Sequence, residues 1–331
     1  MIESLLSYGI WVAIVFIIVG FIALVKGADF LVDGASAIAK RFGISDLVIG
    51  LTVVAFGTSM PEFVVNMVSV AEGSTDLAIT NILGSNIINT LVILGLTALV
   101  YPIASQKRSR DFDIPMSILA GILVLVFVTL SSCNVPYFSF HGINRIGGIV
   151  LLLLFCYFLY NTFRHAKDHP EEADAETVKP IGTGKAILLI FLGFIGLIVG
   201  GELIVKSAVD IATRCGVSEA IIGLTVVALG TSLPELATSV IAACKKNSDI
   251  ALGNVIGSNI FNVFFVLGTS ATVRALPAYD GIELDACVVT LGSVIVWLAV
   301  KSNKERKVKR WAGALLLLVY AAYLTYRLIH L

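Results

Sequence analysis

The sequence is short of charge. Of 331 residues, 14% are Asp, Glu, Lys or Arg while 57% are hydrophobic, and mean hydropathy is +0.95. A soluble domain of this length needs far more polar surface, so the chain is assigned to a bilayer. Histidine is scarce as well. His141, His165, His169 and His330 all fall in loops or at one end, outside the apolar segments. The five cysteines (Cys133, Cys156, Cys215, Cys244 and Cys287) include no C-x-x-C pair, and their odd number argues against a disulfide framework. Soft-metal chemistry is thereby disfavoured. The opening residues MIES lack a basic segment and no small-residue cleavage site follows, so the first span is expected to be retained. No nucleic-acid partner is expected.

What remains is apolar sequence in lengths that suit a membrane. A span needs roughly 20 apolar residues. Ten such segments are expected, near 10–32, 44–71, 77–101, 113–131, 144–163, 185–207, 217–244, 250–273, 282–300 and 311–329. The longest polar stretch, about 164–184, reads as a connector. With the N-terminus outside, basic residues divide roughly 17 inside against 4 outside, which orients the chain with both termini away from the cytoplasm.

The chain is one unit written twice. An offset of 173 places Gly27–Val100 on Gly200–Val273 without a gap, with roughly 32 of about 74 positions identical. GLTVVAFGTSMPE (50–62) falls on GLTVVALGTSLPE (223–235), and NILGSNIIN (81–89) on NVIGSNIFN (254–262). Each half has five spans, an odd number, so the second enters the membrane in the opposite sense. The expected fold is therefore an all-α polytopic membrane protein of ten transmembrane helices in two inverted-topology repeats of five. Residues 1–163 and 185–331 form the repeats, with 164–184 linking them on the cytoplasmic side. Inverted repeats are the architecture of many secondary transporters.

The duplicated motifs carry the chemistry. Pro61 and Pro234 lack an N–H and clash with the carbonyls of Gly57 and Gly230, so each helix is expected to kink or open, freeing carbonyls over 55–58 and 228–231. Glu62 and Glu235 follow directly. A charge at that depth costs about 2.5–3.5 kcal/mol even on lenient scales, and no basic residue shares either segment. Brought together, one acid must take a proton or the pair must hold a cation. Ser85 and Asn89, like Ser258 and Asn262, are four apart and share a helix face. With Thr58, Thr231, Ser59 and Ser232 the inventory is all oxygen, which matches hard cations such as calcium. Lys26, Asp29 and Asp33, and Glu202 with Lys206, are expected to pair within their own helices.

Two copies of G-T-S-x-P-E, each followed by G-S-N-I-x-N, resemble the α-repeats of the calcium/cation antiporter superfamily, most closely its prokaryotic sodium/calcium exchanger branch. The resemblance implies a plasma-membrane antiporter that exchanges calcium for sodium by alternating access. It would need no cofactor, catalyse no reaction and require no protein partner, acting as a monomer in the lipid bilayer. Carried over by motif position, Glu62 and Glu235 are the central cation ligands. Thr58 and Thr231 offer carbonyl oxygens, as do Ala55 and Ala228 to sodium. Ser59, Ser232, Ser85 and Ser258 add oxygens around them, with Asn89 at the middle site. Asn262 stands where many members of the superfamily have aspartate, which leaves two carboxylates at the centre and puts three-for-one exchange in question. The same residues also admit a proton-driven divalent-cation antiporter. From other classes come a cation channel, whose carboxylate rings normally arise from oligomeric symmetry, and an intramembrane hydrolase, which would want a nucleophile or metal beside the acids.

Overall fold

A computed structural model describes residues 9–132, 142–168, 182–216 and 228–329. Among them the chain is helical apart from two very short strand pairings. Helix α1 spans Ile10–Phe42. A broken span bent by 45° follows, made of α2 (Asp46–Thr58) and α3 (Met60–Glu72). Then come α4 (Thr75–Val100), α5 (Ser109–Thr129) and α6 (Arg145–Asp168). The second half repeats the order with α7 (Thr183–Arg214), α8 (described over Ala228–Thr231) and α9 (Leu233–Cys244). It closes with α10 (Ser248–Val273), α11 (Ile282–Ser302) and α12 (Arg310–Ile329).

Among the described residues, 8 helices are long and apolar enough to cross a membrane, or 9 with the bent pair counted as one span. The span expected near 217–244 begins in residues 217–227, which lie outside the described residues, so only its later part is seen. Helix ends differ from the hydropathy reading. α1 continues beyond 32 to Phe42, because hydropathy marks the hydrocarbon layer while the helix runs on past it. Lys40 and Arg41 sit in its last turn, where they complement the negative helix end, and Gly43 at φ 61° stops it. Helix reaches into the expected connector, 164–184, from both ends. α6 runs to Asp168 and α7 starts at Thr183, with 169–181 outside the described residues.

Helices α4 and α10 form the centre. Their most apolar stretches are 83% and 94% buried, whereas those of α1, α6, α7 and α12 are buried to only 17–28% and form the rim. The rim's large apolar side chains, such as Trp11, Phe21 and Leu318, are exposed and suit a lipid solvent. α1 and α7 lie against each other so closely that their backbones touch. A Cβ on Gly27 would sit 2.7 Å from Leu197 N, and one on Gly20 2.8 Å from Gly200 O. Small residues permit that approach.

The halves interlock. α12 packs on α4 and α6 on α10, again through glycines: a Cβ on Gly313 would lie 2.6 Å from Gly95 O, and one on Gly148 2.7 Å from Gly268 O. Ile103–Ala104 pairs antiparallel with Lys307–Val308, and Gly142–Ile143 with Leu276–Pro277. Each half thus holds the last helix of the other.

One expectation about α1 needs correction. Asp29 and Asp33 do not find their partner along their own helix. Both bind Lys245 at the end of α9, with Nζ 2.6 Å from Asp29 Oδ1 and 2.6 Å from Asp33 Oδ1. The reason is packing: α9 lies along α1 and delivers the lysine to that face. Glu202 and Lys206 do pair within α7, at 2.9 Å.

Candidate cation site

The site is built on two breaks. At Ser59 (φ −85°, ψ 5°) and Ser232 (φ −90°, ψ 6°) the backbone leaves the helical region. In each case the helix restarts with proline in its first turn, where the absent N–H has no partner to lose. Glu62 and Glu235 occupy those first turns, at the positive ends of two half-helices. Both acids are fully buried, and Glu62 is tied to the other half through Ser85, which donates to it and accepts from Ser232.

Hydroxyls surround one oxygen of each acid. Ser85 Oγ donates to Glu62 Oε1 at 3.3 Å and Ser258 Oγ to Glu235 Oε1 at 3.5 Å, a pair related by the repeat. Ser59 Oγ crosses between halves to Glu235 Oε1 at 3.0 Å. Its counterpart Ser232 donates instead to Ser85 Oγ at 3.3 Å. Thr231 lies beside Glu62 and Thr58 beside Glu235. The other oxygen of each acid, Oε2, makes no hydrogen bond among the described residues. Buried carboxylate oxygens without partners are costly.

Asn89 and Asn262 extend the polar surface. Asn89 is fully buried, and neither of its amide atoms is hydrogen-bonded among the described residues. Asn262 donates from Nδ2 to Asn86 Oδ1 at 3.1 Å and leaves its own Oδ1 unbonded. They stand near the start of π-helical turns, Ile88–Ile93 and Phe261–Leu267. Such turns interrupt the regular backbone ladder and recur at functional sites.

The expected backbone oxygens are mixed in character. Ala55 O accepts Ser59 N–H at 3.0 Å and lies 3.3 Å from Thr58 Oγ1. Thr58 has a single hydroxyl hydrogen, and its contact with Asn254 Oδ1 is shorter, 3.0 Å. Ala55 O therefore keeps one lone pair free. Ala228 is the first described residue of α8, which ends at Thr231; the two correspond to Ala55 and Thr58.

Two features escaped the sequence reading. Asn254 is a hub: it accepts from Thr58 and donates to Glu235 O at 3.2 Å and Ser239 Oγ at 2.9 Å. Asn81, its counterpart, donates to Asn66 Oδ1 at 3.0 Å. The signal was present, since both repeat motifs open on asparagine. The second feature is Asp285, which accepts from Tyr279 at 2.6 Å, Tyr323 at 2.9 Å and Arg327 at 3.4 Å. Beside it a cavity of about 470 Å³ runs to Ser85. With Asp285 committed to those three donors, this acid is a structural tie and not a second cation site.

Serine hydroxyls from both halves meet at the two carboxylates. Among the described residues no group of three or more His, Cys, Asp or Glu side chains is placed to hold a metal ion, so a cation here would rely on the two carboxylates and neutral oxygens. Such an oxygen-only set holds hard cations.

Known proteins share this arrangement of chain. A family model described as sodium/calcium exchanger protein matches residues 12–164 and 185–329. The sequence is 31% identical over 339 residues to sodium/calcium exchanger MaX1 of Methanosarcina acetivorans, covering 93% of this chain and 96% of that one. It is 37% identical over 265 residues to the inner membrane protein YrbG of Escherichia coli, covering 78% of each. Among solved structures, the sodium-calcium exchanger NCX_Mj soaked with zero Na+ and Ca2+ superposes with a TM-score of 0.80 at 32% identity, covering 96% of this chain and 99% of that one.

Proposed function

The chain belongs to the sodium/calcium exchanger protein family, and from that premise we propose that it exchanges calcium for sodium through one site between Glu62 and Glu235. It is an integral membrane antiporter for cations, not an enzyme. The carrying observation is the pair of buried acids, each with an oxygen left without a protein donor. A cation between them removes the cost of both orphan oxygens at once.

Calcium neutralises the two carboxylates, and so do two sodium ions. Thr58 and Thr231 contribute carbonyls, Ala55 and Ala228 further carbonyls to sodium, and Ser59, Ser232, Ser85 and Ser258 their hydroxyls. Asn89 and Asn262 flank the middle position. Ten helices in two inverted repeats of five, residues 1–163 and 185–331, expose this site to each side in turn. The chain works as a monomer in the cytoplasmic membrane, with both termini outside.

Vesicle flux tests the reading. A sodium gradient at clamped pH is expected to drive calcium counter-flow, and a pH gradient without sodium is not. The reverse result would make protons the driving ion, and single-channel currents without saturable counter-flow would make the protein a channel.

Two further results are expected. Asn262→Asp adds a third acid, so the sodium Hill coefficient or the charge moved per cycle should rise; no change in either removes the charge-count argument. Ser59→Ala deletes a hydrogen bond to an acid, a contact worth about 1.5–3 kcal/mol, so calcium titration should show affinity falling roughly tenfold. Ser232→Ala, whose partner is Ser85, should cost less. Equal losses would contradict the asymmetry seen between the two serines.

A further inference from the structure

The offset that superposes the two halves also relates an ion pair that is formed to one that is not. Lys245 ties α9 to α1 through Asp29 and Asp33, on the face that carries Lys40 and Arg41. Across the repeat, Asp29 corresponds to Glu202, Asp33 to Lys206 and Lys245 to Glu72. One lysine and two acids recur. The lysine has moved from the end of α9 onto α7, and an acid has taken its place at the end of α3. The signs are exchanged and the attraction is kept.

In this structure Glu72 is not joined to the other two. Lys206 stands 2.9 Å from Glu202 on its own helix. Glu72 is exposed and makes no ion pair among the described residues. Packing differs in the same sense. On the first face Ala237, Ala242 and Ala243 of α9 join Leu31, Val32 and Ala35 of α1 in one buried cluster. On the other face α3 does not pack along α7 in the same way. Val64 and Val68, which correspond to Ala237 and Ile241, are 54% and 50% exposed. Among the described residues the first face is packed shut and its mirror is not.

Resting on the alternating-access reading above, we propose that Lys206 bridges Glu202 and Glu72 to latch the outer face shut when the inner face opens and Lys245 leaves Asp29 and Asp33. Each latch exists in one state only. Rim ion pairs are individually modest, so each biases its state without trapping it, as a cycling carrier requires.

Outside labelling of a cysteine at Val64 reads the outer gap. The probe is a membrane-impermeant maleimide in sealed vesicles, on a background in which the native cysteines are replaced by serine. Labelling is normalised to that after permeabilisation, which scores correctly inserted protein. Under the ion gradient that lowers labelling most in this background, Glu72→Lys and Lys206→Glu should each raise it about threefold. The double exchange, Glu72→Lys with Lys206→Glu, should return it to the background level. The milder Glu72→Gln should raise it in the same direction. Unchanged labelling in the single variants, or no restoration in the double variant, overturns the latch. Calcium counter-flow by the unmodified chain is measured in parallel. Its absence defeats the antiporter reading, whereas its presence with failed labelling defeats the latch alone.

Discussion

Alanine at Glu62 or at Glu235 is expected to lower calcium counter-flow in sealed vesicles by about a hundredfold or more. Removing one partner of a buried charge interaction costs about 3–5 kcal/mol, and each 1.4 kcal/mol is a factor of ten. The partner lost here is the cation. Without ions, stability should move the other way. Each acid is fully buried with one oxygen unbonded, and a charge at membrane depth costs about 2.5–3.5 kcal/mol. The alanine variants should therefore melt no lower than the parent in chelator. They should also lose the rise in melting temperature that calcium gives the parent, because only a ligand that binds the folded state raises it. Flux kept within tenfold would show that the acids do not hold the ion. A fall in ion-free stability alongside the flux would show that they serve the fold instead.

The second large effect concerns α1 and α7. Valine at Gly27 is expected to destabilise the protein by about 3 kcal/mol, on the order of 10 °C in melting temperature. A Cβ at that position would lie 2.7 Å from Leu197 N and 2.8 Å from Gly193 O, both backbone atoms that have no rotamer to change. The two helices would have to separate along their length, and packing between membrane helices depends on that close approach. Gly184→Ala is the control, since a Cβ there meets nothing within 4 Å. Equal melting temperatures for the two variants would show that the contact carries no energy.

Much of this was legible before any coordinates. Hydropathy found the eight long apolar helices and the bent pair seen among the described residues because a bilayer demands long apolar runs, and the repeat was visible because 50–62 and 223–235 are nearly the same words. Pro61 and Pro234 announced the breaks at Ser59 and Ser232, since the ring chemistry is local. Other features had no local signature. Nothing near Asp29 or Asp33 names Lys245, more than two hundred positions away. Asn254 reads as one more polar residue until Thr58 is seen to reach it from the opposite half. The Ala55 carbonyl could be expected free, but whether the Thr58 hydrogen turns to it or to Asn254 depends on how α2 sits against α10.

By itself, then, the sequence determined the solvent, the duplication, the broken helices and the two acids within them. Each of these follows from composition, from bonds within a few residues, or from comparing one half of the text with the other. Only the tertiary structure decided that Ser59 of one half reaches the acid of the other, that each half clasps the other's last helix, and that among the described residues α9 packs along α1 while α3 does not pack along α7. Those outcomes depend on the register between helices distant in sequence, fixed by glycine contacts such as Gly27 against Leu197 and Gly313 against Gly95. A pattern read along one strand of text carries no distance between two such helices.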